Sequence, residues 1–193
     1  MRPGYRRRRR VRMKTLIVVD MQKDFIDGAL GTKEAQKIVT KVKAKIKKYA
    51  QAGDNIIFTR DTHKKNYMDT REGKYLPVPH CIKGTAGWEI PKALTDAAGE
   101  NYTIIDKGSF GYDKWAKTLK PLAPTDFEIV GLCTDICVVS NALAIKAIYP
   151  EADISVDAAC CAGVTPATHD AALSTMKCCQ IDIAHEGKEP WRG

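Results

Sequence analysis

Three side chains that could together cleave an amide bond lie far apart in the sequence, at Asp20, Lys107 and Cys137. A carboxylate can take the proton of a thiol and later return it to a leaving amine. A neighbouring ammonium lowers the pKa of the thiol and stabilises developing negative charge. Each residue also has an ordinary structural explanation, since Cys137 could be a buried core cysteine and the other two a strand-end cap and a surface ion pair. This pattern alone leaves both interpretations open.

The surroundings of Cys137 favour a nucleophile. The run GLCTDICVVSNAL (131–143) predicts a strand, a short turn and a helix that begins at Asp135 or Ile136 and continues to Ile148. Cys137 should therefore lie near a helix N-terminus, where the helix dipole and free N–H groups stabilise a thiolate.

A second group of residues has the types and spacing of a metal site. Asp61 and His63 are two positions apart beyond a predicted strand, so that in extended backbone both side chains project to one side. His80 could complete the set, which suits zinc, manganese or iron with water in the open positions. Cys81 is a softer donor whose side chain should point away from that of His80. Spacing alone is equally compatible with solvated histidines in a polar loop.

Alternating strands and helices should position these residues. The six apolar runs that read as buried strands are TLIVV (15–19), NIIFT (55–59), YTII (102–105), FEIVG (127–131), DISV (153–156) and CQIDI (179–183). Helical spacing of apolar residues occupies 35–49, with Gly53 as a C-cap, and Pro166 opens another helix. The alternation predicts an α/β fold with three α/β/α layers and a mostly parallel six-stranded sheet. The irregular segment 62–87 is typical of a functional loop or of disorder.

The reactive residues follow four of these strands. Asp20 follows the first strand, Asp61 and His63 the second, Lys107 the third and Cys137 the fourth. Ligands of open parallel sheets bind at the carboxyl ends of the strands, where loops and helix N-termini converge. We therefore expect these side chains to meet at one edge of the sheet.

Five motifs in order along the chain carry a family resemblance. They are DMQKDF (20–25), RDTH (60–63), HCIKGTAGW (80–88), DKGSFGYD (106–113) and GLCTDICV (131–138). Together they resemble the isochorismatase-like cysteine hydrolases, and among these the nicotinamidase (pyrazinamidase) branch, over residues 14 to about 180. The resemblance implies a Rossmann-like hydrolase fold and the hydrolysis of nicotinamide to nicotinate and ammonia through a cysteine thioester, in NAD salvage.

The resemblance also assigns roles to residues. It implies a catalytic triad of Asp20, Lys107 and Cys137. It implies a cis peptide bond between Leu132 and Cys133, so that the backbone N–H groups of Cys133 and Cys137 face one oxyanion. In that arrangement Lys107 should keep the site positive enough to favour the thiolate of Cys137 and to keep Asp20 ionised.

The metal site and the pocket walls receive assignments in the same way. The resemblance implies one divalent metal ion, zinc or otherwise manganese or iron, held by Asp61, His63 and His80, with Glu72 as a fourth ligand. The metal would bind the pyridine nitrogen and orient the ring. Phe25, Leu76 and Phe110 would line the substrate pocket, and Leu76 occupies a position where some relatives carry tryptophan. Core packing is the alternative explanation for the two phenylalanines.

Composition limits the other possibilities. The net charge is +8, but seven arginines fall in residues 1–12, so that subtraction leaves about +1 for the rest. Because MKTLIVVD is typical of a natural start at Met13, we predict a basic disordered tail over 1–12, whose native or non-native origin stays open, and one hydrolase domain over 13–193. We therefore do not expect nucleic-acid binding outside the Arg-rich tail.

The remaining expectations concern location and rival functions. Seven cysteines without a disulfide-framework spacing favour a reducing, cytoplasmic setting, and the two adjacent pairs favour buried core positions. We predict no membrane-spanning segment. Relatives with this fold often self-associate, which leaves a homo-oligomer open. The rival functions are a metal-independent amidohydrolase of the same superfamily acting on an N-carbamoyl or ureido substrate, and a non-catalytic metal- or nucleic-acid-binding adaptor.

Overall fold

The computed structural model describes residues 13–122 and 125–193, in which six strands form one sheet. The strands are β1 (Thr15–Val19), β2 (Asn55–Asp61), β3 (Thr103–Lys107), β4 (Asp126–Leu132), β5 (Asp153–Ala162) and β6 (Asp182–Ala184). Their order is β3-β2-β1-β4-β5-β6, and every neighbouring pair is parallel. The predicted six-stranded parallel sheet is confirmed. The predicted basic tail, residues 1–12, lies outside the described residues.

Strand β1 is the centre of the sheet because its sequence is apolar without interruption. All five residues of TLIVV are buried, and β2 and β4 flank the strand on its two sides. A continuous apolar run of this kind is typical of a parallel strand covered on both faces, since neither face can carry polar side chains to water.

The described residues contain seven α-helices, most of which pack against one of the two faces of the sheet. They are α1 (Lys23–Ile26), α2 (Lys33–Ala52), α3 (Arg71–Tyr75), α4 (Lys92–Ala98), α5 (Trp115–Leu119), α6 (Val139–Ile148) and α7 (Pro166–Cys178). In α2 the Thr32 hydroxyl accepts the Ala35 N–H at 3.0 Å, and Gly53 ends the helix with a φ of 73°. Sequence spacing correctly predicted this helix and α7. It missed the short helices α1, α3, α4 and α5.

The core is divided by the sheet into two layers of side chains. On one face, Ile38 and Val42 of α2 and Leu94 of α4 pack in one apolar cluster. On the other face, Trp115 of α5 and Leu173 of α7 belong to a second cluster. Because each face of a buried sheet must be covered by apolar side chains, the result is the predicted three-layer α/β/α arrangement.

The last strand was predicted too early in the sequence. The run 179–183 was expected to be a strand, but α7 continues to Cys178, Cys179 is its C-cap, and Gln180 turns the chain with a φ of 63°. As a result Cys178 and Cys179 are exposed, and the prediction that they are core residues is wrong. The other adjacent pair, Cys160 and Cys161 in β5, is buried as predicted.

The irregular segment 62–87 is ordered by a few local contacts. It contains a 3₁₀ turn over Tyr67–Asp69 and helix α3, and an isolated parallel bridge joins His63 to Ile82. The segment is therefore a folded loop above the carboxyl end of β2. Within the described part of the chain, no helix has the length and apolar composition needed to cross a bilayer.

Candidate active site

The predicted reactive residues meet at the carboxyl edge of the sheet. Asp20 directly follows β1, Asp61 and Lys107 are the last residues of β2 and β3, and Cys137 lies five residues beyond β4. All four side chains are buried, at 0–4% exposure. The structure thus brings together residues that are 117 positions apart in the sequence, because parallel strands deliver their ends to one side.

Asp20 is held in an uncommon backbone conformation. Its φ is 46°, and its carbonyl accepts the Gln22 N–H at 2.7 Å, so that the chain turns immediately after β1. The Oδ1 atom accepts a hydrogen bond from the Thr59 hydroxyl at 2.6 Å. Burial raises the pKa of Asp20, while the positive charge of Lys107 opposes that rise. Asp20 is therefore a carboxylate with more basic character than one in water.

Lys107 is the central cation of the cluster. Its Nζ lies 2.7 Å from Oδ2 of Asp20, 3.4 Å from Oδ1 of Asp61 and 3.5 Å from Sγ of Cys137, and it donates a hydrogen bond to the Ser109 carbonyl at 3.0 Å. Burial alone would lower the pKa of Lys107, but the adjacent anionic groups overcome it and raise the pKa. The side chain therefore stays protonated and links the carboxylate to the sulfur.

Cys137 lies in the turn that joins β4 to α6. The turn is π-helical over Thr134–Val138, and the Cys133 carbonyl accepts the N–H groups of Ile136 at 3.1 Å and Val138 at 3.0 Å. The peptide bond between Leu132 and Cys133 is cis, as the family resemblance implied.

Burial has the largest effect on the pKa of Cys137. Burial and the negative charge of Asp20 raise the pKa of the thiol well above its usual value, and the opposing effect of Lys107 is smaller. Lys107 lowers the pKa of the thiol, as expected, but burial has the larger effect, and sequence reasoning counted the charge of Lys107 without the loss of water. The resting group is a thiol, and a base must remove its proton before it can attack a carbonyl carbon.

Gly131 allows β4 to approach β1 just before this turn. It has a φ of 121°, and a Cβ atom at this position would overlap the Val19 carbonyl oxygen. Only glycine combines that φ with so close an approach of two backbones. The position of the turn relative to β1 is therefore fixed by backbone contact.

Asn141 is a site residue that sequence reasoning missed. From α6 its amide group donates to the carbonyls of Cys137 at 2.7 Å and Phe110 at 3.1 Å, and its Oδ1 accepts from the Tyr112 N–H at 2.9 Å and the Trp115 indole at 2.8 Å. It thus fastens the loop after β3 to the helix that carries the thiol. The available signal was a single amide side chain in a mostly apolar helix.

The four predicted metal ligands converge next to Lys107. One donor atom from each of Asp61, His63, Glu72 and His80 lies within 4.8 Å of the others. His63 Nε2 is 2.9 Å from Oδ2 of Asp61 and 3.6 Å from Oε1 of Glu72, and His80 Nε2 is 3.7 Å from both of these oxygens. Glu72, the least certain ligand from sequence, takes part in the cluster.

The chemistry of this donor set fits a divalent ion. Two imidazoles and two carboxylates are ligands that zinc, manganese and iron accept, and the separations allow them to share one ion. His80 Nδ1 lies 2.9 Å from the Val78 carbonyl oxygen, a contact that directs Nε2 toward the cluster. Burial would raise the pKa of Asp61, but hydrogen bonds from His63 and His80 lower it, so Asp61 is an anion beside the two imidazoles.

One cavity of about 760 Å³ joins the thiol to the metal-ligand cluster. Cys137 lines one part of it, and Asp61, Glu72 and His80 line another. The walls are mostly apolar. The three predicted wall residues, Phe25, Leu76 and Phe110, all line this cavity. Ile136 and Val164 also line it and were not predicted.

Exposure separates the predicted wall residues into two kinds. Phe25 is only 8% exposed and its ring centroid is 5.4 Å from that of His80, so it also belongs to the core, as the alternative explanation held. Leu76 and Phe110 are 37% and 46% exposed, which core packing does not explain. They form the open rim of the cavity.

Comparison with known proteins identifies the family. An isochorismatase domain model matches residues 14–186. The nicotinamidase/pyrazinamidase of Mycobacterium tuberculosis is 28% identical over 193 residues, covering 89% of this chain and 98% of the relative. The nicotinamidase of Saccharomyces cerevisiae is 28% identical over 174 residues, covering 68% of this chain and 80% of the relative. The crystal structure of Pyrococcus horikoshii pyrazinamidase in complex with zinc superposes with a TM-score of 0.79 at 32% identity, covering 89% and 98% of the two chains. The chain therefore belongs to the isochorismatase family, in the branch that its nicotinamidase relatives represent.

Proposed function

We propose that this protein is an amide hydrolase that converts nicotinamide to nicotinate and ammonia. The observation that carries the proposal is the single cavity that connects the Cys137 thiol to the cluster of Asp61, His63, Glu72 and His80. Nicotinamide has two reactive ends, a ring nitrogen that binds metal ions and a carboxamide that a thiolate attacks. The relatives named nicotinamidase support the same substrate.

The first half of the reaction forms a thioester. Asp20 takes the proton of the Cys137 thiol, and the thiolate attacks the carboxamide carbon. The backbone N–H groups of Cys133 and Cys137 hold the oxygen that becomes negative. Asp20 then returns the proton to the leaving nitrogen, and ammonia departs. Lys107, with its Nζ between the carboxylate and the sulfur, stabilises the negative charge as it moves from one to the other.

The second half releases the acid. Asp20 removes a proton from water, the water oxygen attacks the thioester carbon, and the C–S bond breaks to give the Cys137 thiolate and nicotinic acid, which loses its proton to solvent as nicotinate. The thiolate then regains the proton from Asp20, so that the protein returns to its starting state. Burial of Asp20 assists both proton transfers, because it brings the pKa of the carboxyl closer to that of its partners.

A divalent ion held by Asp61, His63, Glu72 and His80 supplies a Lewis acid for the pyridine nitrogen when it is bound. We propose zinc as that ion, since the Pyrococcus horikoshii relative was crystallised in complex with zinc, and manganese or iron are the alternatives that the donor set accepts. Phe25, Leu76 and Phe110 provide apolar contacts for the two faces of the ring.

The rival functions lack a comparable observation. A metal-independent amidohydrolase has no use for four ligand atoms within 4.8 Å of one another, beside the cavity that holds the thiol. An adaptor without catalysis has no use for a buried ammonium that contacts both a carboxylate and a thiol. We further propose that the reaction serves NAD salvage in the cytoplasm, a reducing compartment that agrees with seven free cysteines.

The proposal is tested by measuring ammonia release from nicotinamide together with the metal content of the same sample. We expect turnover by the wild-type protein, a loss of turnover in Cys137→Ala, and a loss on treatment with a chelator that metal addition reverses. Cys178→Ala is the matched control, since this exposed cysteine lies at the end of α7, outside the cavity lining. Undiminished turnover in Cys137→Ala would reject the proposed mechanism.

A further inference from the structure

The C-terminal residues 185–193 form an anchored segment next to the turn that carries Cys137. The Glu189 side chain is fully buried, and its Oε1 accepts the Gly187 N–H at 3.2 Å while its Oε2 pairs with the Arg192 guanidinium. Arg192 also pairs with Asp170 of α7, and the Trp191 indole donates to the Cys161 carbonyl at 3.2 Å. A segment held at so many points belongs to the folded structure.

This segment contacts a buried histidine. His169 of α7 has no exposed surface, and its Nε2 lies 3.4 Å from Oε1 of Glu189. The ring of Trp191 packs edge-on against the imidazole, with centroids 5.1 Å apart and an interplanar angle of 90°. Burial lowers the pKa of His169, which therefore remains neutral. The carboxylate of Glu189 accepts a hydrogen bond, so Nε2 carries the single ring proton.

The other ring nitrogen contacts the turn beside the nucleophile. Nδ1 of His169 lies 2.7 Å from Oγ1 of Thr134, and because Nε2 carries the proton, Nδ1 accepts from the Thr134 hydroxyl. Thr134 is fully buried and is the first residue of the π-helical turn, directly after Cys133. The proposed mechanism uses the backbone N–H groups of Cys133 and Cys137. The hydrogen bond therefore fixes the side chain of Thr134, which lies between these two residues in the sequence.

The geometry points to Glu189, His169 and Thr134 as a chain of positioning residues that holds these backbone N–H groups in place for the oxyanion. The inference rests on the proposed function, because that function assigns the N–H groups. The order of carboxylate, imidazole and hydroxyl resembles a nucleophilic triad, but the Thr134 hydroxyl is buried and does not line the cavity. These residues therefore act on the turn and not on the substrate.

A second contact, at Asp135, holds the turn in addition to the hydrogen bond of Thr134. The Asp135 carboxylate of the same turn accepts the Val164 N–H at 3.1 and 3.2 Å, and Val164 is a 53% exposed residue at the rim of the cavity. That support is open to water, whereas the contact through His169 is not. The buried contact is therefore the more rigid of the two, since water cannot compete for its hydrogen bonds.

The test compares Thr134→Val, which keeps the shape of the side chain and removes the hydroxyl, with Thr134→Ser, which keeps the hydroxyl. In Thr134→Val we expect kcat for nicotinamide to fall roughly 10- to 100-fold with KM within about twofold, as a small misplacement of catalytic groups produces. Thr134→Ser should recover most of the loss. Lys177→Ala is the matched control, because it removes the exposed Lys177–Glu186 pair of the same segment and should leave kcat unchanged.

The affinity for pyridine-3-carbaldehyde distinguishes the positioning of the oxyanion-binding N–H groups from a purely structural role of Thr134. The Cys137 sulfur adds to the aldehyde carbon, the π electron pair of the C=O bond moves to oxygen, and Asp20 accepts the thiol proton, so the adduct contains the oxyanion. We expect Thr134→Val to lose affinity for the aldehyde by about the same factor as kcat, and to keep its affinity for nicotinate. Equal aldehyde affinity in Thr134→Val and wild type would overturn the inference.

Hydrogen–deuterium exchange gives a readout that needs no substrate. We expect faster exchange over residues 131–139 in folded Thr134→Val, with the exchange of α2 unchanged, because the turn loses a buried contact. Unchanged exchange over 131–139 would overturn the inference. If wild-type protein does not hydrolyse nicotinamide, the proposed function fails while the exchange experiment still decides whether His169 and Thr134 hold the turn.

Discussion

Replacement of Asp20 by asparagine tests the reactive cluster most directly. The side chain keeps its size, and its amide oxygen can still accept the Thr59 hydroxyl, which lies 2.6 Å from Oδ1 in the wild-type protein. The amide nitrogen would then replace Oδ2, which lies 2.7 Å from Nζ of Lys107. Asp20→Asn therefore removes the proposed base and places two hydrogen-bond donors against each other, with little change in volume.

The size of the effect follows from these contacts. Loss of a general base slows an enzyme by about 10²- to 10⁴-fold, which corresponds to roughly 3–5 kcal/mol of activation free energy. Breaking a buried ion pair costs about 3–5 kcal/mol of stability. Lys107 retains Asp61 at 3.4 Å and the Ser109 carbonyl at 3.0 Å, so we expect the lower end, about 3 kcal/mol.

Two measurements check this prediction. Ammonia release gives kcat, and urea unfolding gives the free energy of unfolding. Asp106→Asn is the matched control, since Asp106 forms only partly exposed pairs with Arg60 and Lys83 and should cost no more than about 1 kcal/mol without changing kcat. Turnover of Asp20→Asn within about tenfold of wild type would refute the role of Asp20 as the base. An unchanged free energy of unfolding would refute the buried pair.

Four further outcomes are expected. The acidic limb of the kcat/KM profile should lie above the ordinary pKa of an aspartate, because burial raises the pKa of Asp20 and activity is lost when it is protonated; a limb at or below that value would contradict this. Brief alkylation of the native protein, read by peptide mass spectrometry, should label exposed Cys178 and spare buried Cys161. Gly131→Ala should lower the free energy of unfolding by about 2–5 kcal/mol in urea titrations, because the new Cβ overlaps a neighbouring carbonyl. His80→Ala should weaken metal binding at least about tenfold in competition with a chelator, and an unchanged affinity would remove His80 from the ligand set.

The sequence predicted the parts of the site that depend on strand order. A residue that follows a buried apolar run must lie at the carboxyl end of a strand, and this rule alone places Asp20, Asp61 and Lys107 at one edge. The position of the thiol in the turn after β4 follows from the same rule. Glu72 required the family resemblance, because it lies in the irregular segment, where no periodicity fixes the direction of a side chain.

The remaining site contacts depend on packing between helices. Asn141 and His169 lie on different helices, and their partners are 4 to 35 residues away, so no local pattern reports them. The exposure of Cys179 depends on where α7 ends, and the sequence is compatible with several end points. The protonation of Cys137 depends on the exclusion of water, a quantity that a list of nearby charges does not contain.

The folded loop over residues 62–87 has a consequence for how this enzyme type could diversify. The side chains proposed as nucleophile, base and ammonium lie at strand ends or in the turn after β4, whereas Glu72, Leu76 and His80 come from the loop above them. On the proposed function, the groups that cleave the bond and several of the groups that contact the substrate are thus encoded in separable stretches of the gene. We expect a chimaera carrying the loop of a relative to change its preferred amide while its thiol still reacts with an aldehyde, and a thiol that no longer reacts would show that the two stretches are inseparable.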